Sequence, residues 1–371
     1  MPRPAPTELP TTMRAARILG PHRTEVATVP VPTPGPDEVL IRVRRAGVCG
    51  TDLHILHGDY ALARFPMTPG HEFAGTVAAV GDEVRGVAVG DAVTADPNVP
   101  CLVCPECRRG AWNQCHDLSV VGVTRDGAFA PFVAVPERVV VGTDGLSAAA
   151  GAMVEPLACV AWGLRRVRVR PGDDALVFGA GPMGCLLLQA VRAAGAARVV
   201  VVDPVRGRRD AAAELGGDLT ITPEDTDRLA SFAPLGFDLV ADATGVPRVV
   251  EDAVRYARPG GTLWVFGVAP EEARVRLSPF ELFRRDLSVV GSFAVNGTVP
   301  QAVAMIRGGS VRVEPLVSHV LPIERFTEGL ELAESDPHRM KVQFAFGADA
   351  AGDAIDRAAD RAADGAASAG G

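Results

Sequence analysis

A thiol and an imidazole 22 residues apart are the first residues of this chain that could do chemistry. Cys49 lies in Gly47-Val48-Cys49-Gly50-Thr51-Asp52, and His71 lies in Gly70-His71-Glu72. A thiolate and an imidazole together suit zinc, and the neighbouring glycines let the backbone come close to an ion. A single cysteine or histidine in an apolar stretch is more often a core residue, so this interpretation needs support from other features. We interpret the pair as half of an open metal site.

A second group of cysteines is much denser in sequence. Four of the seven cysteines fall within fifteen residues, at Cys101, Cys104, Cys107 and Cys115. Four thiolates so close together can wrap one tetrahedral zinc ion and leave no open position, which is typical of a structural site. The alternative, disulfide bonding, would need an oxidising compartment. The spacing predicts a structural zinc in a loop of about residues 97–116.

Glu155 precedes a proline at the start of a helical pattern. Apolar residues recur at helical spacing over residues 157–167, Pro156 suits the first helical position, and the Glu155 carboxylate would lie near the positive end of the helix dipole. Either Glu155 only caps this helix, or it faces the metal.

Residues 173–203 have the pattern of a strand, a glycine-rich turn, a helix and a second strand. The turn is Gly179-Ala180-Gly181-Pro182-Met183-Gly184, whose glycines allow a tight bend and close approach of a pyrophosphate to the helix N-terminus. Asp203, nineteen residues after Gly184, would accept hydrogen bonds from ribose hydroxyls and repel a 2′-phosphate, which favours NAD over NADP. Arg206, Arg208 and Arg209 lie nearby and weaken that preference.

Further strands are predicted at residues 238–241, 262–268 and 287–290, with helical stretches between them. This alternation is typical of a doubly wound parallel sheet. Thr244 and Gly267 follow two of these strands and should line the cofactor site. Before this region, short runs broken by proline and glycine predict a mostly β domain, and residues 341–344 are predicted to return to it.

Composition limits the other possibilities. The 371 residues carry a formal net charge of −8, which gives no support for nucleic-acid binding, and no apolar run is long enough for a membrane helix. Residues 1–12 lack the apolar core of a signal peptide, so we expect a cytoplasmic protein. Lys341 is the only lysine beside 36 arginines, a bias typical of GC-rich coding.

Together these motifs resemble the zinc-dependent medium-chain dehydrogenase/reductase family, and most closely its polyol branch, the sorbitol and xylitol dehydrogenases. The resemblance covers residues 13 to about 346. It implies an α/β protein in which a GroES-like, mostly β catalytic domain is interrupted by a Rossmann domain with a doubly wound parallel sheet. The predicted organisation is an N-terminal extension (1–12), the catalytic domain (13–160 and 301–347), the Rossmann domain (161–300) and a disordered tail (348–371).

The resemblance also implies roles for individual residues. Those that match ligands of the catalytic zinc are Cys49, His71, Glu72 and Glu155. One glutamate is expected to bind directly and the other through water or in exchange, and the choice between them is open. Thr51 resembles the hydroxyl that starts a proton relay, and His54 its continuation toward solvent. Arg208 resembles an arginine that flanks the adenine. With the cysteine loop, two zinc ions per chain are implied, as is a homodimer or homotetramer.

The chain departs from sorbitol dehydrogenases after Phe293. Those enzymes place an arginine and a tyrosine that contact the polyol, whereas this chain has Ala294-Val295-Asn296. We therefore expect a substrate other than sorbitol, either smaller, differently hydroxylated or less polar.

The expected reaction is reversible oxidation of a secondary alcohol or polyol to a ketone with NAD. A threonine, vicinal-diol or aminocyclitol dehydrogenase of the same family is the alternative. A non-catalytic protein that binds zinc and NAD is a third hypothesis, and it would be expected to carry one zinc per chain where the enzyme carries two.

Overall fold

The computed structural model describes residues 9–347, and the chain divides into two compact units. Unit one contains the described residues up to Ala158, Val295–Arg307 and residues 313–347, and unit two contains Cys159–Ala294 and Gly308–Arg312. The predicted tail (348–371) and residues 1–8 of the predicted extension lie outside the described residues. In the part of the chain from 9 to 347, no helix combines the length and the apolar character needed to cross a bilayer.

The secondary structure alternates between short strands and helices. The strands are β1 (Thr12–Gly20), β2 (Arg23–Pro30), β3 (Glu38–Gly47), β4 (Glu72–Val80), β5 (Ala92–Ala95), β6 (Asn98–Val99), β7 (Ser119–Val120), β8 (Phe132–Pro136), β9 (Val140–Gly142), β10 (Asp174–Phe178), β11 (Arg198–Val202), β12 (Leu219–Ile221), β13 (Phe237–Asp242), β14 (Ala257–Val265), β15 (Ser288–Gly291), β16 (Val317–Pro322) and β17 (Lys341–Ala345). The α-helices are α1 (Gly50–His57), α2 (Pro105–Arg108), α3 (Ala148–Gly151), α4 (Val154–Arg166), α5 (Pro182–Ala193), α6 (Arg206–Glu214), α7 (Arg228–Phe232), α8 (Pro247–Ala253), α9 (Pro279–Arg284), α10 (Val299–Arg307) and α11 (Phe326–Ser335). Single turns of 3-10 helix lie at Trp112–Gln114, Glu137–Val139, Pro223–Asp225, Val254–Tyr256, Glu314–Leu316 and Ile323–Arg325.

Unit one is organised around a seven-stranded sheet. The order along it is β16-β17-β3-β4-β5-β9, and β8 also pairs with β3. Gly47 at the end of β3 pairs with Glu72 at the start of β4 and with Gln343 of β17. Cys49, which follows β3, and His71, which precedes β4, are therefore brought to one end of neighbouring strands, beside the start of β17.

The core of unit one lies beneath this sheet. Phe129, Phe326 and Phe344 are fully buried, with ring centroids 5.0 to 5.7 Å apart in tilted or edge-on contacts. Edge-on aromatic packing of this kind contributes about 1 kcal/mol per pair beyond burial alone. Because Phe344 belongs to β17, the last described strand is fixed to the same core as the strands that carry Cys49 and His71.

Unit two is a six-stranded parallel sheet with the order β12-β11-β10-β13-β14-β15. Its strands carry continuous buried apolar runs, such as the four valines at residues 199–202 of β11, because helices cover both faces of a parallel sheet. The strand order reverses between β10 and β13, where a crevice forms at the carboxyl ends of the strands. The predicted α/β class, with a mostly β domain and a doubly wound parallel sheet, is confirmed.

One strand prediction in this unit was too long. Residues 262–268 were predicted as strand, but β14 ends at Val265 because the N–H groups of Phe266 and Gly267 both donate to the carbonyl of Asp242. The chain thus bends out of the sheet two residues before Gly267.

Candidate metal and dinucleotide sites

Three predicted metal ligands meet at the strand ends of unit one. The Sγ of Cys49, a ring nitrogen of His71 and a carboxylate oxygen of Glu72 all lie within 4.8 Å of one another. We call these three residues the Cys49 cluster. His71 is 6% exposed and Glu72 is 1% exposed, while Cys49 is half-buried. The cluster is therefore a largely buried set of one sulfur, one nitrogen and one oxygen donor.

Asp52 lies beside two members of this cluster. Cys49 is the N-cap of α1, and its N–H donates to Asp52 Oδ2 at 2.9 Å. The other oxygen, Oδ1, lies 3.8 Å from His71 Nδ1, and neither of these two atoms has a hydrogen-bond partner among the described residues. A carboxylate behind a ligating histidine fixes its ring orientation and raises its basicity. Asp52 is in that position.

The acidic groups in and around the Cys49 cluster favour a bound cation. Burial on its own would lower the pKa of His71, but the Cys49 sulfur and the carboxylates of Asp52 and Glu155 raise that pKa well above its usual value. Burial raises the pKa of the fully buried Asp52 carboxyl. A buried group of acidic donors that pulls a proton onto an imidazole is short of positive charge, and a divalent ion would supply it.

Lys341 provides part of that charge. Its Nζ donates to both carboxylate oxygens of Glu72 at 2.7 Å and to the carbonyl of Val48 at 3.0 Å. Burial on its own would lower the pKa of Lys341, but Glu72 and Cys49 outweigh that effect and raise the pKa. Glu72 thus has a positively charged protein partner.

Glu155 lies in the first turn of α4 and is 7% exposed. It acts electrostatically on His71 and on Lys341, and raises the pKa of each. Among the described residues, the 4.8 Å group contains Glu72 and does not contain Glu155. The structure therefore places Glu155 beside the Cys49 cluster and not within it.

The two residues predicted for a proton relay are on α1. Thr51 Oγ1 lies 3.7 Å from Cys49 Sγ. His54 is half-buried and follows Thr51 by three residues on the same helix, so both project from one face. Thr51 is thus next to the cluster, and His54 is one turn further along α1.

The donor set of the Cys49 cluster fits a zinc ion. Sulfur, imidazole nitrogen and carboxylate oxygen are the three donor types that zinc takes in proteins, and zinc–ligand distances of about 2.0 to 2.3 Å allow donors within 4.8 Å of one another to share an ion. Two buried polar atoms beside the cluster, His71 Nδ1 and Asp52 Oδ1, have no hydrogen-bond partner among the described residues, so the site has polar atoms left to interact with a bound ion or its ligands.

The four-cysteine loop fits a second, closed site. The Sγ atoms of Cys101, Cys104, Cys107 and Cys115 lie within 4.8 Å of one another. Backbone N–H groups of Cys101 and Cys104 donate to neighbouring sulfurs at 3.3 Å, and those of Cys107 and His116 lower the pKa of Cys104 to about 6. Pairing of β6 with β7 closes the base of the loop. Four sulfurs fill a tetrahedral ion completely, so this site fits a structural zinc.

In unit two the glycine-rich turn joins β10 to α5. Gly179 has φ +96, a conformation that favours glycine, and a Cβ at Gly184 would overlap the carbonyl oxygen of Gly179. Gly181 is the N-cap of α5, and Pro182 and Met183 occupy its first turn. The turn therefore presents the N-terminus of a twelve-residue helix at the carboxyl end of β10, where an anionic phosphate would be stabilised.

Asp203 is tied to this turn. Its Oδ2 accepts the N–H of Ala180 and its Oδ1 accepts the N–H of Val205, both at 2.8 Å. Arg209 Nη1 donates to the carbonyls of Asp203 and Pro204. Arg208, the arginine predicted to flank adenine, lies half-buried in the first turn of α6. The Asp203 carboxylate is thus held at the carboxyl end of β11. In the sheet, β11 is separated from β13 by β10.

A buried aspartate organises the other side of the dinucleotide site. Asp242, at the end of β13, accepts the N–H and hydroxyl of Thr244 through Oδ1 and the N–H of Gly245 through Oδ2. Its backbone carbonyl accepts the N–H of Gly267 at 2.8 Å. The structure therefore brings Thr244 and Gly267 together at the carboxyl ends of β13 and β14 through one residue.

The segment that departs from sorbitol dehydrogenases is fixed to the cysteine loop. Asn296 is 6% exposed, donates to the carbonyl of Gly110 at 2.9 Å and accepts the N–H of Trp112 at 3.0 Å. Asn98 donates to the carbonyl of Val295, whose side chain is buried. The side chains of Val295 and Asn296 are therefore engaged inside unit one.

Three residues important to these sites were missed in the sequence. Asp52 comes three residues after Cys49, and Asp242 comes directly after the predicted strand 238–241. An aspartate at the start of a helix or the end of a strand could therefore have indicated a site residue. Lys341 carried another signal, since it is the only lysine of the chain. Its contact with Glu72, however, joins residues 269 positions apart, so no local sequence pattern could predict it.

The fold and these sites together define a zinc-dependent, dinucleotide-linked oxidoreductase. Comparison with known proteins agrees. Residues 35–144 match the alcohol dehydrogenase GroES-like domain, and residues 182–308 match the zinc-binding dehydrogenase domain. The chain belongs to the zinc-binding, medium-chain alcohol dehydrogenase family, as the sequence motifs predicted.

Individual relatives are similar over nearly their whole length. D-altritol 5-dehydrogenase of Agrobacterium fabrum is 38% identical over 337 residues, which cover 90% of this chain and 99% of that protein. D-arabinitol dehydrogenase 1 of Uromyces fabae is 38% identical over 87% of this chain and 94% of that protein. A solved structure from Sinorhizobium meliloti 1021, described as a zinc-binding dehydrogenase bound to NADP, has a TM-score of 0.87 and 32% identity over 91% of this chain and 100% of that one. The predicted polyol branch is confirmed by these relatives.

Proposed function

We propose that this protein oxidises a secondary hydroxyl of an open-chain polyol to a ketone, with NAD as the preferred hydride acceptor. The observation that carries the proposal is the grouping of a sulfur, a nitrogen and a carboxylate donor within 4.8 Å in a chain that also holds a Rossmann glycine turn. A structural zinc alone would not need the Cys49 cluster. Two metal sites with different donor sets therefore favour the enzyme over the non-catalytic hypothesis.

In this mechanism Cys49 and His71 hold the catalytic zinc, with a carboxylate from Glu72 or Glu155. A bound zinc ion supplies Lewis acidity, which lowers the pKa of a coordinated hydroxyl from the mid-teens toward neutrality. Asp52 orients the His71 ring, and the buried surroundings keep bulk water from the cluster. The chain contributes fixed donors that need no rearrangement during the reaction.

Thr51 carries the proton away. Its hydroxyl, 3.7 Å from Cys49 Sγ, accepts the proton of the alcohol while it passes its own toward His54, one turn along α1. The hydroxyl-bearing carbon loses a hydride to the oxidised dinucleotide, so one alcohol yields one ketone, one reduced dinucleotide and one proton. A hydroxyl and an imidazole can each donate and accept a proton, so Thr51 and His54 together can pass a proton along α1.

The NAD preference rests on Asp203. A carboxylate at the end of β11 accepts the two ribose hydroxyls of adenosine and repels a 2′-phosphate. Its present partners, the N–H groups of Ala180 and Val205, hold it at the glycine turn. Arg208, on the adjacent first turn of α6, would flank the adenine. The Sinorhizobium relative was solved with NADP, so cofactor selectivity is a point for direct measurement.

The polyol assignment rests on the relatives, two of which are named for alditols. We test it with a panel of alditols, vicinal diols, amino alcohols and simple secondary alcohols, each with NAD and with NADP, followed by the absorbance of the reduced dinucleotide. Turnover of alditols with NAD is the expected result. Turnover restricted to amino alcohols, or no turnover in a preparation that carries two zinc ions per chain, would overturn the proposal.

We also propose a homo-oligomer formed through unit two. Strand β15 is an edge of the parallel sheet, and Val289 on it is 43% exposed. Phe280 and Phe283 of α9 are 64% and 84% exposed. An open strand edge beside exposed aromatic rings is a typical site of association between copies. Light scattering should show a dimer or tetramer, and Phe283→Asp with Val289→Lys should shift it toward monomer.

A reducing compartment such as the cytoplasm suits this chemistry. None of the seven cysteines forms a disulfide, and the sulfurs of four of them lie within 4.8 Å of one another. Oxidation would convert these four cysteines to disulfides and expel zinc. We expect added oxidant to release one zinc ion per chain, which a chromophoric chelator would detect.

A further inference from the structure

Helix α1 carries a third side chain that can exchange protons, beyond Thr51 and His54. His57 follows His54 by three residues and is the last residue of the helix. Residues three apart on a helix have Cβ atoms about 5 to 6 Å from each other. One hydroxyl and two imidazoles therefore follow one another along α1, over about 9 Å of the helix axis, from the end beside Cys49 to the opposite end.

A carboxylate lies at the outer end of this series. His57 Nε2 is 2.9 Å from Glu334 Oε1, and the two side chains are 30% and 48% exposed. Glu334 belongs to α11, the helix that packs beside α1 in unit one. An ion pair exposed to this degree contributes little to stability. The pair is, however, the point at which the series on α1 reaches water.

The loop between β1 and β2 holds the His57 ring from another side. The rings of His22 and His57 have centroids 5.3 Å apart and are tilted by 33°. His22 has φ +55, which is uncommon for a residue other than glycine, and its N–H donates to the carbonyl of Leu56 at 2.7 Å. The His57 ring is thus in contact with both His22 and Glu334, and these contacts keep Nε2 at the carboxylate.

We propose that His57 and Glu334 form the outer part of the proton relay and carry the proton of the alcohol from His54 to water. His57 accepts a proton on Nδ1, because Nε2 faces Glu334, and it releases the proton on Nε2 to the carboxylate. Glu334 then gives that proton to water or buffer and regains its charge, so one proton leaves for each alcohol oxidised. This inference rests on the proposed function, because that reaction supplies the proton.

The test measures kcat of the zinc-loaded protein in dilute buffer and again with added imidazole. Gln in place of His57 keeps a polar side chain but cannot pass a proton on. His57→Gln should lower kcat about tenfold in dilute buffer, which is less than the roughly 10²- to 10⁴-fold contribution of a base at the reacting atoms. Imidazole from solution should restore most of this loss.

A second variant and two controls keep the test independent of any single substitution. Glu334→Gln should show a smaller loss of kcat that imidazole also restores. The double variant should be no slower than His57→Gln, since two groups that act in series are not additive. His338→Gln and Glu331→Gln change an exposed histidine and an exposed glutamate of unit one, and both should leave kcat and its response to imidazole unchanged.

Isotope effects separate a proton-transfer role from a structural one. In His57→Gln the solvent isotope effect on kcat in D₂O should rise, because transfer of the proton to solvent becomes the slow step. The effect of deuterium on the reacting carbon should fall in the same variant, because hydride transfer no longer limits the rate. Damage to the fold would produce neither change.

Two outcomes would overturn the inference. An unchanged kcat of His57→Gln in dilute buffer would show that protons leave His54 without this pair. A loss of kcat that imidazole does not restore, with the solvent isotope effect of wild type, would show that the pair is only structural. If wild type with two zinc ions oxidises no alcohol, the proposed function itself fails, and this result is distinct because the unaltered chain is then inactive.

Discussion

Asp96 should make the stability of this protein fall as the pH rises from 4 to 8. The carboxyl lies just after β5 and accepts the N–H groups of Asn98, at 2.9 Å, and Gly297. Burial raises the pKa of Asp96 from its usual 3.8 to about 6, and these two hydrogen bonds offset only part of that effect. Asp96→Asn keeps an oxygen that can accept while it removes the charge.

The magnitude follows from the difference in pKa between the folded and unfolded chains. Between pH 3.8 and about 6 the folded protein binds more protons than the unfolded chain, so the free energy of unfolding falls as the pH rises through this window. A difference of about two pKa units corresponds to about 3 kcal/mol in full. Roughly 1.5 kcal/mol of this is lost between pH 5 and 8, because the window is already partly crossed at pH 5.

The assay compares urea unfolding of wild type and Asp96→Asn at pH 5, 6, 7 and 8 with zinc present. The variant should gain about 1.5 kcal/mol over wild type across this range, with the change complete by about pH 7. Asp91→Asn is a matched control, since Asp91 also accepts a backbone N–H, from Ala88, but in an exposed position. If the free energy of unfolding depended on pH in the same way for wild type and Asp96→Asn, the reasoning would be refuted. Ionisation of the Asp96 carboxyl would then not destabilise the folded state.

Other substitutions test the separate sites. Cys49→Ala should lower kcat/KM by roughly a thousandfold and leave one zinc per chain, with the unfolding temperature little changed, because the ligand serves a catalytic ion; an equal loss of folding would contradict this role. Cys104→Ser should release the other zinc and expose residues 97–116 to protease, since a closed site contributes folding energy directly; resistance to protease would argue against a structural ion. Gly184→Val should abolish dinucleotide binding in calorimetry, because its side chain would overlap the Gly179 carbonyl. Asp203→Ala should weaken NAD binding about tenfold and narrow the NAD to NADP ratio of kcat/KM, since one hydrogen-bonded carboxylate contributes about 1.5 to 3 kcal/mol; an unchanged ratio would remove Asp203 from cofactor selection.

The sites that could be predicted from the sequence are those whose parts are close along the chain. The turn from Gly179 to Gly184 and the four cysteines are each contained in fifteen residues or fewer, so one strand–turn–helix or one loop positions them. The β11 strand, the second strand of that predicted pattern, could be predicted for the same reason, since a run of valines just before Asp203 is typical of a buried strand in a parallel sheet. In these segments the residue types that bind a ligand and the turn or loop that positions them lie in the same short stretch of sequence.

The parts that could not be predicted depend on pairings between distant strands. Lys341 meets Glu72 because β17 pairs with β3 and β3 pairs with β4, a register that no local pattern of apolar residues specifies. Asn296 lies in the segment where sorbitol dehydrogenases place residues that contact the polyol, and its side chain bonds to Gly110 and Trp112, 186 and 184 residues away. In both cases a polar residue had to be matched with a partner from another part of the chain.

This difference has a consequence for how the chain controls its own chemistry. The residues proposed to supply donors to the metal, such as Cys49 and His71, are recognisable from their neighbours in sequence, because each lies in a short glycine-containing motif. The residue that orients Glu72 is set by the last described strand instead, and that strand is fixed by the buried ring of Phe344. The sequence near each residue thus indicates which side chains can bind the metal, whereas the pairing of distant strands determines how the Glu72 carboxylate is oriented. A substitution in the core of unit one, such as Phe344→Leu, should therefore weaken metal binding at the Cys49 cluster even though it touches no ligand, and the zinc content per chain of that variant would show it.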